Sequence, residues 1–196
     1  MLRYEKKRKD IFELSVTDEL RYKYKIKRKY FQHSAREVAD GAICDVVLSA
    51  LQGYESFFIY HSYNGEADTR AIIAKLITGG KRVYLPRVEG QRMDAVRYLG
   101  EEDKLIKNRF GILEPDGEAA QEDIQVAVAP LLAVNSKGYR LGYGGGYYDR
   151  FFKQNKRILK VGLGYYLQLT DEFEEQIYDE KLDLFICERG IIDFGR

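Results

Sequence analysis

Ser56-Phe57-Phe58-Ile59-Tyr60-His61-Ser62-Tyr63-Asn64-Gly65-Glu66-Ala67-Asp68-Thr69 sets the fold. Its first five residues form a β-favouring run without polar alternation, the pattern of a strand buried on both faces. The turn residues Tyr63-Asn64-Gly65 end it. Asp68 or Thr69 can then cap a helix whose Ile72, Ile73, Leu76 and Ile77 share one face before Gly79-Gly80 breaks it. Val83-Tyr84-Leu85 follows as a short strand closed by Pro86.

The alternation continues in both directions. Upstream, residues 20–31 read as a short basic helix. Ser34-Ala35-Arg36-Glu37 is a capping box that starts a longer helix carrying Val38, Ala42, Ile43, Val46, Val47 and Ala50, and Gly53 stops it. Downstream, residues 93–99 alternate like an antiparallel edge strand, and Phe110-Gly111-Ile112-Leu113-Glu114-Pro115 reads as an extended loop. Val126-Ala127-Val128-Ala129 before Pro130 is a buried strand. A helix starting within residues 146–150 runs to Lys153. Strands at 159–163 and 184–187 flank a short acidic helix at 170–176. Strands alternating with helices predict an α/β fold: a three-layer, mostly parallel, Rossmann-like sheet with helices on both faces. Residues 17–196 read as one domain and residues 1–16 as a basic N-terminal extension.

Composition supports this. Of 196 residues 45% are hydrophobic, 32% are charged and three are Pro, which excludes disorder and collagen-like character. No apolar run approaches the roughly 20 residues that span a bilayer. Charges occupy the N-terminus where a signal peptide needs its apolar segment. Two cysteines, Cys44 and Cys187, give neither a disulfide framework nor metal-knuckle spacing, so a cytoplasmic, reduced protein is expected. The net charge of +1 hides an asymmetry: 12 Lys/Arg face 6 Asp/Glu through Glu37, and 20 face 25 beyond it. The basic end suits an anionic partner, whether a polyphosphate, a polycarboxylate or RNA, or is simply a solvated helix face.

Arg140-Leu141-Gly142-Tyr143-Gly144-Gly145-Gly146-Tyr147-Tyr148-Asp149-Arg150 carries the chemistry. Four glycines in five residues let a backbone pass close to a ligand and aim its amides there. A helix beginning just afterwards adds a dipole that favours phosphate. The loop lacks the Gly-Lys-Ser/Thr of a P-loop and the context of a dinucleotide fingerprint. Asp149 either pairs locally or holds Mg²⁺ as a hard oxygen ligand. Asn64 to Thr69, at a strand's carboxyl end, places Glu66 and Asp68 where open parallel sheets bind ligands.

This run resembles the signature of the 5-formyltetrahydrofolate cyclo-ligase family. Further stations agree in order: Glu66-Ala67-Asp68-Thr69, Leu85-Pro86-Arg87, Met93, residues 110–115, Gln168, Asp179 and residues 182–188. The resemblance implies ATP and a reduced folate as substrates, with Mg²⁺ as cofactor. Arg140, Leu141, Gly142, Tyr143, Gly144, Gly145, Gly146, Tyr147 and Tyr148 would wrap the ATP phosphates, and residues 143–147 would also border the folate. Arg140, Tyr147 and Asp149 would be the catalytic residues, and Asp149 and Asp179 the metal ligands. Glu66 would take the pterin end near His61, and Arg21 would reach both substrates. No membrane or nucleic-acid partner is implied. Two departures stand out. Thr17 occupies the place of a family lysine four residues before Arg21, with Lys23 to Lys27 as an alternative register, and Tyr178 replaces a common histidine. The rival readings are a non-catalytic folate- or nucleotide-binding paralogue, an RNA-binding module and a sugar-phosphate isomerase.

Overall fold

The structure, a computed structural model, describes residues 15–100, 103–108, 111–121 and 123–195. Its elements run α1 (Val16–Lys29), α2 (His33–Ala50), β1 (Ser56–Ile59), α3 (Arg70–Thr78), β2 (Arg82–Glu89), β3 (Arg92–Tyr98), β4 (Leu105–Lys107) and β5 (Leu113–Pro115). They continue with β6 (Val126–Pro130), β7 (Ala133–Val134), β8 (Arg140–Leu141), α4 (Tyr147–Gln154), β9 (Leu159–Leu163), β10 (Leu184–Cys187) and β11 (Gly190–Asp193).

Seven strands form one sheet in the order β11-β10-β9-β6-β1-β2-β3. The five inner strands are parallel, and β3 and β11 pair antiparallel at the two edges. The residues of the central strand β6 divide by parity between two cores. Val126 and Val128 join the cluster under α2 and α3, with Phe57, Ile59 and Ile72. Ala127 and Ala129 face the opposite cluster, whose space is filled by Phe58 and by Phe151 and Phe152 of α4. Small alanines on that face admit the aromatic rings, and Phe58 stacks on Phe151 with centroids 4.4 Å apart. The expected three layers with helices on both faces are therefore present. A third, smaller cluster packs Tyr24 of α1 on Leu132, Ala133 and Leu141 around the β7–β8 hairpin.

Several local expectations are corrected. Helix α1 starts at Val16 rather than residue 20, because the Ser15 hydroxyl accepts from the Asp18 amide at 3.2 Å. Residues 1–14, most of the expected extension, lie outside the described residues. The capping box at Ser34 is not used: α2 begins at His33 with Gln32 as N-cap, and Phe31 packs on Tyr165 at 4.8 Å, turning the chain into the helix early.

Strand β2 continues through Pro86. Opposite it, Ala95 directs its carbonyl away to the Ala120 amide (2.8 Å), so this pair exchanges no ladder bonds. The missing Pro86 N–H falls beyond the end of β1 and costs nothing. Leu113–Pro115, expected as loop, pairs with β4, while residues 109–110 lie outside the description. The acidic segment 170–176 forms no helix. Its carboxylates accept from the Ser136 amide, Lys23, Tyr24 and Lys137, tying the segment to α1 and the β7–β8 hairpin.

Beneath that hairpin, Gly138 turns with φ +92°, and a Cβ there would lie 2.7 Å from the Phe194 ring. The Leu182 amide donates to the Gly138 carbonyl, which completes the brace.

Candidate active site

The carboxyl ends of β1 and β6, the β8–α4 loop and α1 enclose a cleft of 1460 Å³. The glycine loop forms one wall. Gly144 and Gly146 hold φ of +94° and +63°, a region disfavoured for any residue with a Cβ. Gly145 is constrained by space instead, since a Cβ there would sit 2.7 Å from the Tyr147 ring. Gly146 is the N-cap of α4, whose first amides have no intrahelical acceptor and lie at the loop's end.

Four side chains tie the loop down. The Tyr147 hydroxyl donates to the Gly90 carbonyl at 3.0 Å, and Arg150 donates to the carbonyls of Gln91 (3.1 Å) and Gly145 (2.9 Å). Arg140, nearly buried, pairs with Asp149 Oδ1 at 2.8 Å, closing the base of the loop. From α1, Arg21 Nε donates to the Gly142 carbonyl at 3.1 Å, while its Nη1 holds Asp18 at 2.7 Å. Arg21 thus meets a loop 121 residues away in sequence. The alternative register finds no such place: Lys23 pairs with Glu172, and Lys27 lies over the Tyr24 ring. Lys25 does line the cleft, its Nζ 5.7 Å from the centre of the Tyr143 ring.

The second wall is the turn after β1. Asn64 and Gly65 both adopt positive φ, 49° and 77°, which reverses the chain and carries Glu66 into the cleft. Glu66 Oε2 accepts from the Tyr63 amide at 2.9 Å, and Oε1 accepts from the Tyr143 hydroxyl at 2.5 Å. Burial raises the Glu66 carboxyl above its ordinary value, against the opposing pull of the Tyr143 hydrogen bond, the Tyr63 amide and Arg28. The Tyr143 and Tyr148 phenols are raised too, first by burial and then by the nearby Glu66 charge. His61 lines the cleft and is lowered by burial and by Arg70, which favours its neutral form.

Asp68 is the local helix anchor. Its Oδ1 accepts from the Arg70 amide and guanidinium, both at 2.9 Å, and from Ser62 at 3.0 Å. Behind the turn, Asp40 of α2 accepts from the Asp68 amide (3.0 Å) and the Tyr165 hydroxyl (2.8 Å). Gln168 is buried and binds the Leu131 and Leu132 carbonyls and the Tyr165 amide, a wholly structural set.

Sequence reasoning missed Arg28. This α1 residue is only 2% exposed, yet it donates to the Tyr143 hydroxyl at 2.7 Å and to the Asn64 carbonyl at 3.0 Å. It sits seven residues after Arg21, two helical turns along α1, so both guanidiniums point toward the cleft's walls. That spacing was the available signal.

Asp149 and Asp179 both line the cleft, and the Glu180 amide reaches Asp149 Oδ1 at 3.3 Å, so the two carboxylates come from adjoining segments. Among the described residues no three His, Cys, Asp or Glu side chains gather as a metal cluster. Among them, too, no helix is long and apolar enough to cross a membrane.

Known proteins share this chain's sequence family and its fold. The profile of the 5-formyltetrahydrofolate cyclo-ligase family matches residues 14–188. A Haemophilus influenzae protein named 5-formyltetrahydrofolate cyclo-ligase is 35% identical over 133 residues, covering 63% of this chain and 71% of that one. Its namesake from Escherichia coli K12 is 32% identical over 129 residues, 62% of this chain and 71% of that one. The solution structure of a 5,10-methenyltetrahydrofolate synthetase from Aquifex aeolicus aligns with a TM-score of 0.81 at 29% identity, over 92% of this chain and 95% of that one.

Proposed function

The chain belongs to the 5-formyltetrahydrofolate cyclo-ligase family, and on that premise we propose that it converts 5-formyltetrahydrofolate to 5,10-methenyltetrahydrofolate in the cytoplasm, with ATP consumed and ADP and phosphate released. One observation carries the reading. A loop suited to phosphate and a carboxylate suited to a pterin open onto the same cleft, and Tyr143 of that loop donates its hydroxyl to Glu66 of the other wall.

A formamide oxygen is a poor leaving group until it is phosphorylated. It attacks the γ-phosphorus of ATP and expels ADP. The side-arm nitrogen then closes on the activated formyl carbon and loses its proton, and the oxygen departs with the phosphate. Such transfer needs positioning and charge neutralisation more than an acid–base pair. The loop amides, the α4 N-terminus and Arg21 supply both. Arg140 acts through Asp149, holding its carboxylate at Oδ1. Tyr147, anchored on Gly90, fixes where the loop ends.

Asp149 and Asp179 fit Mg²⁺, which takes one or two carboxylates plus substrate phosphate oxygens rather than a closed protein cage. The ion, when bound, neutralises charge on the transferred phosphate. Glu66 and neutral His61 line the pterin end, and one domain with α1 at its start carries the site.

The test is the absorbance of methenyltetrahydrofolate appearing from 5-formyltetrahydrofolate. Product that requires both ATP and Mg²⁺ is the expected result. Binding of both substrates without product would instead identify a non-catalytic paralogue.

A further inference from the structure

We propose that Arg28 is a positioning residue for folate recognition: acting through the Tyr143 hydroxyl and the Asn64 carbonyl, it holds Glu66 as an oriented acceptor for the N–H groups of the pterin. The proposal rests on the reading of Glu66 given above.

Packing does not explain Arg28. A buried guanidinium is costly, and an apolar side chain of similar volume would stabilise the fold as well or better. Among the described residues Arg28 makes no direct ion pair, and its buried Nε has no hydrogen-bond partner. Its terminal nitrogens are committed to the cleft. Nη2 donates to Asn64, two residues before Glu66 in the positive-φ turn. Nη1 donates to the Tyr143 hydroxyl, with a longer contact of 3.5 Å to the Leu131 carbonyl.

The direction of the relay follows from donor counts. A guanidinium only donates, and a phenol carries one hydrogen. With Arg28 donating to the Tyr143 oxygen, the phenol's single hydrogen goes to Glu66 Oε1. The Tyr63 amide fixes Oε2. Both oxygens are thereby acceptors on the protein side, and their remaining lone pairs serve a ligand. The groups acting on this carboxyl are the phenols of Tyr60, Tyr143 and Tyr148, the Tyr63 amide and Arg28, and Arg28 supplies the positive charge that counters its burial.

The test compares Arg28→Gln, Tyr143→Phe, Glu66→Gln and the double variant Arg28→Gln/Glu66→Gln across a pH series. Arg28→Gln should raise KM for 5-formyltetrahydrofolate about tenfold while KM for ATP and kcat move less than about twofold, the signature of one charged hydrogen bond lost from ground-state binding. The acidic limb of log kcat/KM for folate should also shift to higher pH, because Glu66 then protonates more readily. Arg28→Lys should not rescue binding, since an ammonium cannot span Asn64 and Tyr143 together.

In the Glu66→Gln background, Arg28→Gln should add little, as it acts through that carboxylate. Full additivity there, or equal rises in both KM values, would overturn the proposal. If Arg28→Gln does not fold, Tyr143→Phe cuts the same relay and should likewise raise KM for 5-formyltetrahydrofolate and shift the acidic limb to higher pH. A normal pH profile in Tyr143→Phe then overturns it. An unchanged folate KM in Glu66→Gln has a different signature: it removes the pterin reading itself, and this proposal with it.

Discussion

On the glycine-loop wall the proposed contacts with a ligand are main-chain amides, and side chains serve as ties that keep the backbone in place. On the wall formed by residues 60–69 the reverse holds: the backbone is bent once, at Asn64 and Gly65, and side chains face the ligand. The first wall is tied both by neighbours, with Arg140 and Asp149 nine residues apart and Arg150 reaching back five to Gly145, and from afar, through Gly90, Gln91 and Arg21. The second is set by distant partners, with 77 residues between Glu66 and Tyr143, 115 between Arg28 and Tyr143, and 125 between Asp40 and Tyr165. A backbone cradle is open to lost space as well as to lost charge, whereas a wall of relayed side chains fails through lost charge.

Asp149→Ala should break the first wall most severely. Turnover should fall about a hundredfold or more through lost charge stabilisation at the phosphate, with folate KM little changed. Buried Arg140 also loses its partner, so unfolding free energy should drop by about 2–3 kcal/mol, less than for a fully sealed pair because the Asp149 side chain is 20% exposed. Turnover unchanged at saturating Mg²⁺ would remove Asp149 from the chemistry and leave it a structural tie.

Gly145→Val comes next. Its Cβ collides with the Tyr147 ring, so ATP use should fall about a hundredfold in kcat/KM, the scale of losing a positioned backbone donor, while far-UV circular dichroism stays native. A globally unfolded variant would make the loop a folding element rather than a cradle.

Arg21→Ala should raise KM for ATP roughly tenfold, the scale of one charged hydrogen bond, with Lys23→Ala and Lys27→Ala near wild type. The reverse ranking in the same titration would return the site to the alternative register.

Smallest is Asp68→Asn, which probes the second wall's helix anchor through stability. Burial alone would raise the Asp68 carboxyl, but hydrogen bonds from Arg70 and Ser62 outweigh it and take it down from 3.8 to about 2. A carboxyl lowered on folding contributes stability that is full above its unfolded value and lost as pH falls through the folded one. Tm of Asp68→Asn should therefore lie below wild type at pH 6 and meet it near pH 2. Parallel curves would mean the anchor is not ionic.

The same contrast explains what could be read from the sequence. The parallel sheet was legible because Val126-Ala127-Val128-Ala129 and Ser56-Phe57-Phe58-Ile59 are apolar on both faces, which few structures besides an inner strand accept. The glycine loop was legible because its composition is local, four glycines in five residues between Arg140 and Arg150, although the ties to Gly90, Gln91 and Arg21 that hold it are not. Arg28 was harder to read: only its seven-residue spacing from Arg21 sets it apart in a run of alternating cations, and that spacing does not name a tyrosine 115 residues away as its partner. The helix expected at 170–176 failed for a related reason. Its acidic residues are spent on long-range partners in α1 and the β7–β8 hairpin, and those contacts outweigh a modest local propensity. Ser34 failed because an aromatic contact, Phe31 on Tyr165, set the entry to α2 before the cap could.

The brace of Phe194 under Gly138 has a consequence for biosynthesis. The ribosome makes Phe194 well after the loop that its ring supports. At about 5–20 residues per second the interval is several seconds. Over that time a nascent chain holds residues 138–146 beside a sheet still missing β9, β10 and β11, so the packing of Phe194 under Gly138 forms only once the final strand has been made. A chain ending before Gly190 would lack the Phe194 ring under the hairpin at Gly138.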